Sequence, residues 1–451
     1  MTEILTFDHS HIDFLRLPHP RGARRKSIYP LPVVWGRKLI FGKLFIIIVN
    51  IKKEVIMPGP GAYWYGKEEM EAALEVMKDG YLFRYGNEND PKFLKKVFTL
   101  ENELVRYTGA EHALATSSGT SALLCSAFAL GLKPGDEIII PAYTFVASYS
   151  SVVFLGLIPV LAEIDESLSL DPDDIGRRIT DRTKAIMPVH MLGNPCNMDR
   201  IMAVARKHNL LVLEDCCQAA GASYKGKKIG TIGNIGAFSL NFFKTINTGD
   251  GGFIITNDKS LYEIAFGMHD QGHSPNRTGV EIGNRSLLGL NFRINELTAA
   301  VALAQLKKLD SIVSVLRQKR AYFKNLISEA KGFKFRVLND PEGDCGTLCT
   351  VIFETREQAA KVSSALGSKT VDKSGWHVYA NMEHVLAHLK SVGQPHTKGS
   401  YPKTDDILSR SMNISIGVVD GGLGAGWGMN INSTEEEIKE AAAQFVNACK
   451  E

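Results

Sequence analysis

Between residues 113 and 240, short apolar runs alternate with segments of helical period, and this rhythm leaves few architectures open. Runs at 113–116, 137–140, 158–163, 185–189, 210–214 and 236–240 read as strands. Helical spacing marks 121–130, 144–155 and 198–208 between them, and 68–79 and 93–107 before them. Lys133-Pro-Gly-Asp136 supplies a turn. Such alternation specifies an α/β fold with a mostly parallel sheet wrapped by helices on both faces. A long helical run from 295 to about 316 then leads into a smaller α+β region, with strands at 335–337 and 347–353 and helices at 356–366 and 434–448. The expected organisation is an extension at 1–56, a large domain at 57–310 and a small domain at 311–451.

Composition narrows the function classes. With 44% hydrophobic and 22% charged residues, the 451-residue chain is that of a soluble globular protein. A net charge of +3 offers no basic field for nucleic acid. The seven cysteines form no repeated C-x-x-C pair, so free thiols in a reducing, cytoplasmic setting are expected. Cys345 and Cys349 lack a second pair, and no metal site is expected.

Four runs carry chemistry. Thr116-Ser-Ser-Gly-Thr-Ser-Ala-Leu123 follows a strand and opens a helix, which suits either a phosphate cradle or an ordinary N-cap. Pro141-Ala-Tyr-Thr-Phe145 brings Phe145 to a strand end, as core or as a plate on a flat cofactor. Leu211-Val-Leu-Glu-Asp215-Cys-Cys-Gln218 puts Asp215 where ligands of open sheets collect, either to cap a helix or to pair with a pyridinium nitrogen. Lys244 follows the apolar stretch 235–243, with Ser239 five residues earlier. A lysine in a poorly solvated pocket keeps a neutral amine that attacks carbonyls, whereas most lysines are solvated surface charges.

In this order, these signals resemble the DegT/DnrJ/EryC1/StrS family of pyridoxal-phosphate-dependent sugar aminotransferases, over about residues 66–316. Ser118-Gly-Thr-Ser-Ala-Leu123, Pro141 to Phe145, Pro188-Val-His-Met-Leu-Gly193, Glu214-Asp215, Phe238-Ser239, Lys244 and Gly289-Leu-Asn-Phe-Arg293 carry the resemblance. It implies the fold type I, aspartate-aminotransferase-like architecture. It also implies that Lys244 carries pyridoxal 5'-phosphate as a Schiff base and moves the substrate proton. Asp215 would pair with the ring nitrogen, Phe145 would stack on the ring, and Gln218 would lie near its phenolic oxygen. Gly119, Thr120 and Ser239 would hold the phosphate, joined by Asn291 of a second subunit, so a homodimer is implied. Arg293 would serve either the site or a structural salt bridge. Family members that dehydrate sugars carry histidine in place of the lysine, so Lys244 implies a transaminase.

Gly80-Tyr-Leu-Phe-Arg-Tyr-Gly86, His269-Asp-Gln-Gly-His273 and Gly375-Trp-His-Val-Tyr-Ala-Asn-Met-Glu-His384 resemble the branch of 8-amino-3,8-dideoxy-manno-octulosonate transaminases. That branch uses glutamate to aminate C8 of oxidised Kdo in lipopolysaccharide biosynthesis. Trp376, His377 and Tyr379 would then line the sugar pocket. Amination of a nucleotide-linked keto-hexose is the alternative acceptor reading. A PLP-binding regulator without turnover is the alternative of another class.

The first 56 residues differ from the rest, with ten Lys and Arg against four Asp and Glu, whereas 57–451 have 42 against 45. Their apolar stretch at 39–51 is interrupted by Lys43 and is too short to span a membrane as a helix. A poorly packed extension is expected, with Met57 as the native start. Mass spectrometry of the native N-terminus should therefore find Met57-derived peptides, and Met1-derived ones would overturn this.

Overall fold

Five-residue strands of isoleucine, valine and leucine have no polar face to offer water, so they pair inside a sheet covered on both sides. The computed structural model shows this for residues 59–87, 89–275, 285, 287–418 and 420–450, which are the residues described; the expected extension lies outside them. The chain runs through α1 (Pro60–Tyr63), α2 (Lys67–Asp79), α3 (Lys96–Thr108), β1 (His112–Thr116), α4 (Gly119–Ala129), β2 (Glu137–Pro141), α5 (Val146–Val153) and β3 (Ile158–Ala162). It continues through α6 (Pro172–Arg178), β4 (Thr183–Ile186), α7 (Met198–His208), β5 (Leu211–Asp215), the small hairpin β6 (Ser223–Tyr224) and β7 (Lys227–Lys228), β8 (Ile235–Ser239), β9 (Gly252–Thr256) and α8 (Lys259–His269). There follow α9 (Glu296–Leu306), α10 (Leu309–Leu326), β10 (Phe333–Phe335), β11 (Leu348–Phe353), α11 (Arg356–Ala365), α12 (Glu383–Ser391), α13 (Pro402–Ser409), β12 (Ser411–Ser415) and α14 (Glu435–Lys450).

The seven-stranded sheet has the order β1-β9-β8-β5-β4-β2-β3. Its pairs are parallel from β8 to β3, while β9 runs antiparallel to both β1 and β8. The C-terminal ends of β1, β2, β5 and β8 therefore face the same way. Strands β2 and β3 are buried along their whole length, as the apolar runs require.

The structure departs from the sequence reading at several places. The run 295–316 is two helices, with Lys307 and Lys308 between them; there the Lys308 amine reaches back to Glu68 at 3.1 Å and Glu69 at 2.8 Å. The strand expected at 335–337 lies two residues earlier, at Phe333–Phe335, leaving Val337 half exposed. Strand β12 was not expected, because Ser411, Asn413 and Ser415 read as polar. They are nonetheless buried, since each side chain donates to a backbone carbonyl, at 2.6, 2.8 and 2.7 Å. It completes a three-stranded antiparallel sheet in the order β10-β11-β12. The expected domain boundary at 310 falls on the second residue of α10. Among the described residues, no helix is long and apolar enough to cross a membrane.

One buried ionic cluster fastens α3 and β1 to α8. Arg84, 1% exposed, donates to both oxygens of Glu101 at 3.1 Å and to His269 Nε2 at 3.0 Å, while Glu101 also accepts the Ala115 N–H at 2.9 Å. His269 can accept there because its Nδ1 donates to Phe266 O at 2.7 Å, and burial with the neighbouring Arg84 pushes its pKa down to about 3. Replacing Arg84 with Ala strands a buried carboxylate and should cost about 3–5 kcal/mol. Urea unfolding of the variant checks this, and a loss below about 1 kcal/mol would contradict it.

Candidate active site

Gly252 pairs with Thr116 on one side and Ser239 on the other, which draws the ends of β1 and β8 to one point. No side chain fits there: a Cβ on Gly252 would lie 2.5 Å from Ser118 O and 2.6 Å from Phe238 O. Gly119 meets the same constraint, since a Cβ would stand 2.6 Å from that of Ser239. The two glycines thus let the N-terminus of α4 close on Ser239. Ser118 caps that helix, its Oγ accepting the Ser121 N–H at 3.0 Å. The N–H groups of Gly119 and Thr120 find no partner among the described residues and open onto a cavity of about 600 Å³.

Strand β5 delivers Asp215 to this cavity. One oxygen accepts the Ser148 hydroxyl at 2.7 Å and the other the Cys217 N–H at 3.0 Å, which fixes the carboxylate plane. The preceding Glu214 is fully buried and accepts N–H bonds from Gly230, Ile232 and Gly233 at 2.8, 2.8 and 2.6 Å. His190 Nδ1 accepts the Cys196 N–H at 3.0 Å, so its Nε2 donates to Glu214 at 3.0 Å. His190, Glu214 and Cys216 lie close enough together to suggest a metal group. With both imidazole nitrogens and the carboxylate already engaged, their observed task is to hold the end of β5.

Lys244 sits in the turn after β8, its N–H bonded to Asn241 O at 2.9 Å. Its amine makes no hydrogen bond or ion pair among the described residues. Burial holds it below the usual lysine range, against the opposing pull of Cys217, Asp215 and Asp420. Phe145 is 38% exposed at the same cavity, which excludes the core reading for it. Gln218 accepts the Leu192 N–H at 3.2 Å, and Leu192 holds a left-handed φ of 58° to present it.

The cavity thus gathers Gly119, Thr120, Phe145, Asp215, Gln218, Ser239, Lys244, Trp376 and His377. Three expected residues lie apart from it. Tyr379 is fully buried, its hydroxyl donating to Asp405 at 3.1 Å and its ring edge against Tyr401, so it does not reach the cavity. Arg293 pairs with buried Asp270 and bonds Gln271 at 3.2 Å, the salt-bridge alternative of the two expected for it. Asn291 is exposed, away from the cavity of its own chain. Ser148, Asn241, Asp250 and Asp420 also line the cavity but were missed. The available signals were weak: Ser148 lies one helical turn from Thr144, and Asp420 falls within a run of six glycines at 417–428.

The residues present suit pyridoxal 5'-phosphate. An unpaired amine on a half-buried lysine, a fixed carboxylate, an exposed aromatic ring and a helix N-terminus with free N–H groups surround one cavity. Residues 65–419 match the model of the DegT/DnrJ/EryC1/StrS aminotransferase family, and the chain belongs to that family. The family and the fold make this chain a pyridoxal-phosphate-dependent aminotransferase of fold type I. The GDP-perosamine synthase of Caulobacter vibrioides is 41% identical over 54% of this chain and 62% of its own length. The spore coat polysaccharide biosynthesis protein SpsC of Bacillus subtilis is 37% identical over 78% of this chain and 90% of its own. Among solved structures, the aminotransferase from Psychrobacter cryohalolentis superposes with a TM-score of 0.70 at 28% identity, over 85% of this chain and 96% of its own.

The lowered pKa of Lys244 has a consequence in the cofactor-free protein. Between the lowered folded-state value and 10.5 the folded chain has released a proton that the unfolded chain keeps, so unfolding takes up a proton and stability rises with pH through that window. A methionine has similar length and no charge. Cofactor-free Lys244→Met should be more stable than wild type near neutral pH, with the gap closing as pH approaches 10.5. Urea midpoints across this range check the prediction, and a wild type no less stable than the variant at neutral pH would refute it.

Proposed function

We propose that this enzyme takes an amino group from an amino acid, L-glutamate, and places it on the carbonyl of a sugar. The observation that carries the reading is the unpaired amine of the half-buried Lys244 in the cavity that also holds Asp215 and the N-terminus of α4. Bound pyridoxal phosphate supplies the electron sink for the carbanion. The free N–H groups of Gly119 and Thr120, with the Ser239 hydroxyl, hold the phosphate, and the helix dipole favours its charge. Asp215, fixed by Ser148 and Cys217, pairs with the pyridinium nitrogen. Phe145 would face the ring and the Gln218 amide its phenolic oxygen, both residues lining the same cavity. Lys244 Nζ takes the proton from the donor carbon and later delivers one to the acceptor carbon, a task suited to an amine whose pKa is lowered.

The site is read as completed by a second copy of the chain. Asn291, exposed and outside its own cavity, would reach the partner's phosphate. The exposed face of α2, with Met70, Leu74 and Met77 at helical spacing, and the nearby Phe83 offer an apolar surface for dimerisation. A cytoplasmic location follows from the same reading.

For the acceptor, the C8 aldehyde of oxidised Kdo is the finer proposal. Its support is the resemblance of the loops at 80–86, 269–273 and 375–384, the last of which brings Trp376 and His377 into the cavity. A nucleotide-linked keto-hexose is the competing acceptor, favoured by the GDP in the name of the Caulobacter relative. Mixing holoenzyme with glutamate should bleach the cofactor absorbance, and the right acceptor should restore it. Lys244→Ala should slow both steps by roughly 10²–10⁴-fold. Restoration by oxidised Kdo, without thermal stabilisation by GDP or UDP, supports the first acceptor; the reverse supports the second. A yellow protein that glutamate cannot bleach would leave a regulator without turnover.

A further inference from the structure

Within the glycine-rich stretch 417–428, Val418, Asp420, Gly422 and Leu423 line one side of the cavity. Asp420 and Ala425 exchange backbone hydrogen bonds at 3.1 and 3.0 Å, closing a short loop on itself. Asn413 on β12 donates to Leu423 O at 2.8 Å, and Ser368 to Gly424 O at 3.3 Å, so the loop is anchored from both sides. Asp420 Oδ1 accepts the Gly422 N–H at 2.7 Å, which fixes the carboxylate. Oδ2 has no hydrogen-bond or ionic partner among the described residues, although Asp420 lines the cavity and stands near enough to Lys244 for its charge to act on the amine.

Ser374 joins this loop to His377. Its hydroxyl donates to Gly422 O, so at the 3.1 Å contact it can only accept from His377 Nδ1. That leaves His377 Nε2 as an acceptor without a partner. Burial, with Lys244 nearby, pushes the His377 pKa down to about 3, so the ring stays neutral. The segment is held in place by Thr144 N–H to His377 O at 2.9 Å and Val146 N–H to Trp376 O at 3.0 Å. The wall therefore presents two hydrogen-bond acceptors, Asp420 Oδ2 and His377 Nε2, beside the half-exposed Trp376 ring. No arginine lines the cavity, and Lys244 is its one cation among the described residues.

Two acceptors side by side favour ligand groups that donate hydrogen bonds to them. Hydroxyl groups meet this condition; carboxylates and phosphates meet the Asp420 charge and are repelled. We propose that Asp420, with His377, is a specificity determinant of the acceptor half-reaction: it receives hydrogen bonds from hydroxyl groups on the carbons next to the reacting carbonyl and keeps anionic groups away from that position. This rests on the transaminase reading above and narrows its substrate to a carbonyl flanked by hydroxyl-bearing carbons, with any anionic group at a distance.

The test uses holoenzyme bleached with glutamate and reoxidised by either glyceraldehyde, which has a hydroxyl beside its carbonyl, or propanal, which has none. The readout is the rate at which cofactor absorbance returns, compared between wild type and D420N. Asparagine retains an oxygen for the Gly422 N–H, so the loop is kept, while an amide NH2 stands where Oδ2 was and both the charge and the free acceptor are lost; unchanged thermal melting confirms that the loop is kept. The glyceraldehyde-to-propanal rate ratio should fall roughly tenfold or more in D420N. The glutamate concentration for half-maximal bleaching should fall as well, because a charge opposing its carboxylates is gone. These opposite movements of acceptor and donor are not what general disruption produces. Equal loss with both aldehydes, or a ratio unchanged within about twofold, overturns the proposal. A wild type that glutamate cannot bleach overturns the transaminase reading itself, and this proposal with it.

Discussion

The close approach of the β1 and β8 ends across Gly252 is the constraint from which the site follows. Because β9 runs antiparallel between them, one residue is paired with Thr116 and Ser239 at once, and only a hydrogen can occupy its side-chain position. A methyl group there would push Ser118 away and carry the N-terminus of α4 with it. The N–H groups of Gly119 and Thr120 would then lose their place beside Ser239. Lys244 depends on the same strand pair, since the turn that carries it lies between β8 and β9.

A second layer of burial keeps this geometry in place. Glu214 gathers three N–H groups of the 230–233 turn and the His190 ring, so the residue next to Asp215 cannot shift without breaking four hydrogen bonds. Arg336 donates to Met191 O at 3.2 Å and Leu192 O at 2.9 Å while pairing with Asp344, which supports the unusual backbone at Leu192 from below. These groups never meet a ligand in the arrangement described. They hold the groups that do, and their full hydrogen bonding is what makes their burial tolerable.

The sequence made the parallel layer legible because its strands are uninterrupted apolar runs and its helices keep a clear period. The 198–208 helix matches residue for residue, and the β2 and β5 strands agree within one residue at either end. Strand β9 went unread because it lies outside the strand–helix alternation that marked the others. Strand β12 was hidden by serines and an asparagine whose hydroxyls and amide find partners only in the folded chain. In the site, the residues on strand ends, Asp215 and Ser239, were readable from local pattern. Ser148 and Asp420 were not, since what gives them meaning is a neighbour 67 residues away in the first case and a cavity wall in the second. Tyr379 shows the opposite failure: it stands among cavity residues in the sequence, yet the turn at 379–381 points its hydroxyl to Asp405.

The segment carrying Trp376 and His377 is attached to the exit of β2 largely through main-chain bonds, Thr144 to His377, Val146 to Trp376 and Tyr379 to Ala142. Such bonds are indifferent to side-chain identity. The stretch can therefore change its residues, and even its length beyond the paired positions, without disturbing Asp215 or Lys244, which belong to other strands. This architecture separates the strand ends that carry Asp215 and Lys244 from a neighbouring stretch of the cavity lining that is free to vary on a fixed main-chain frame.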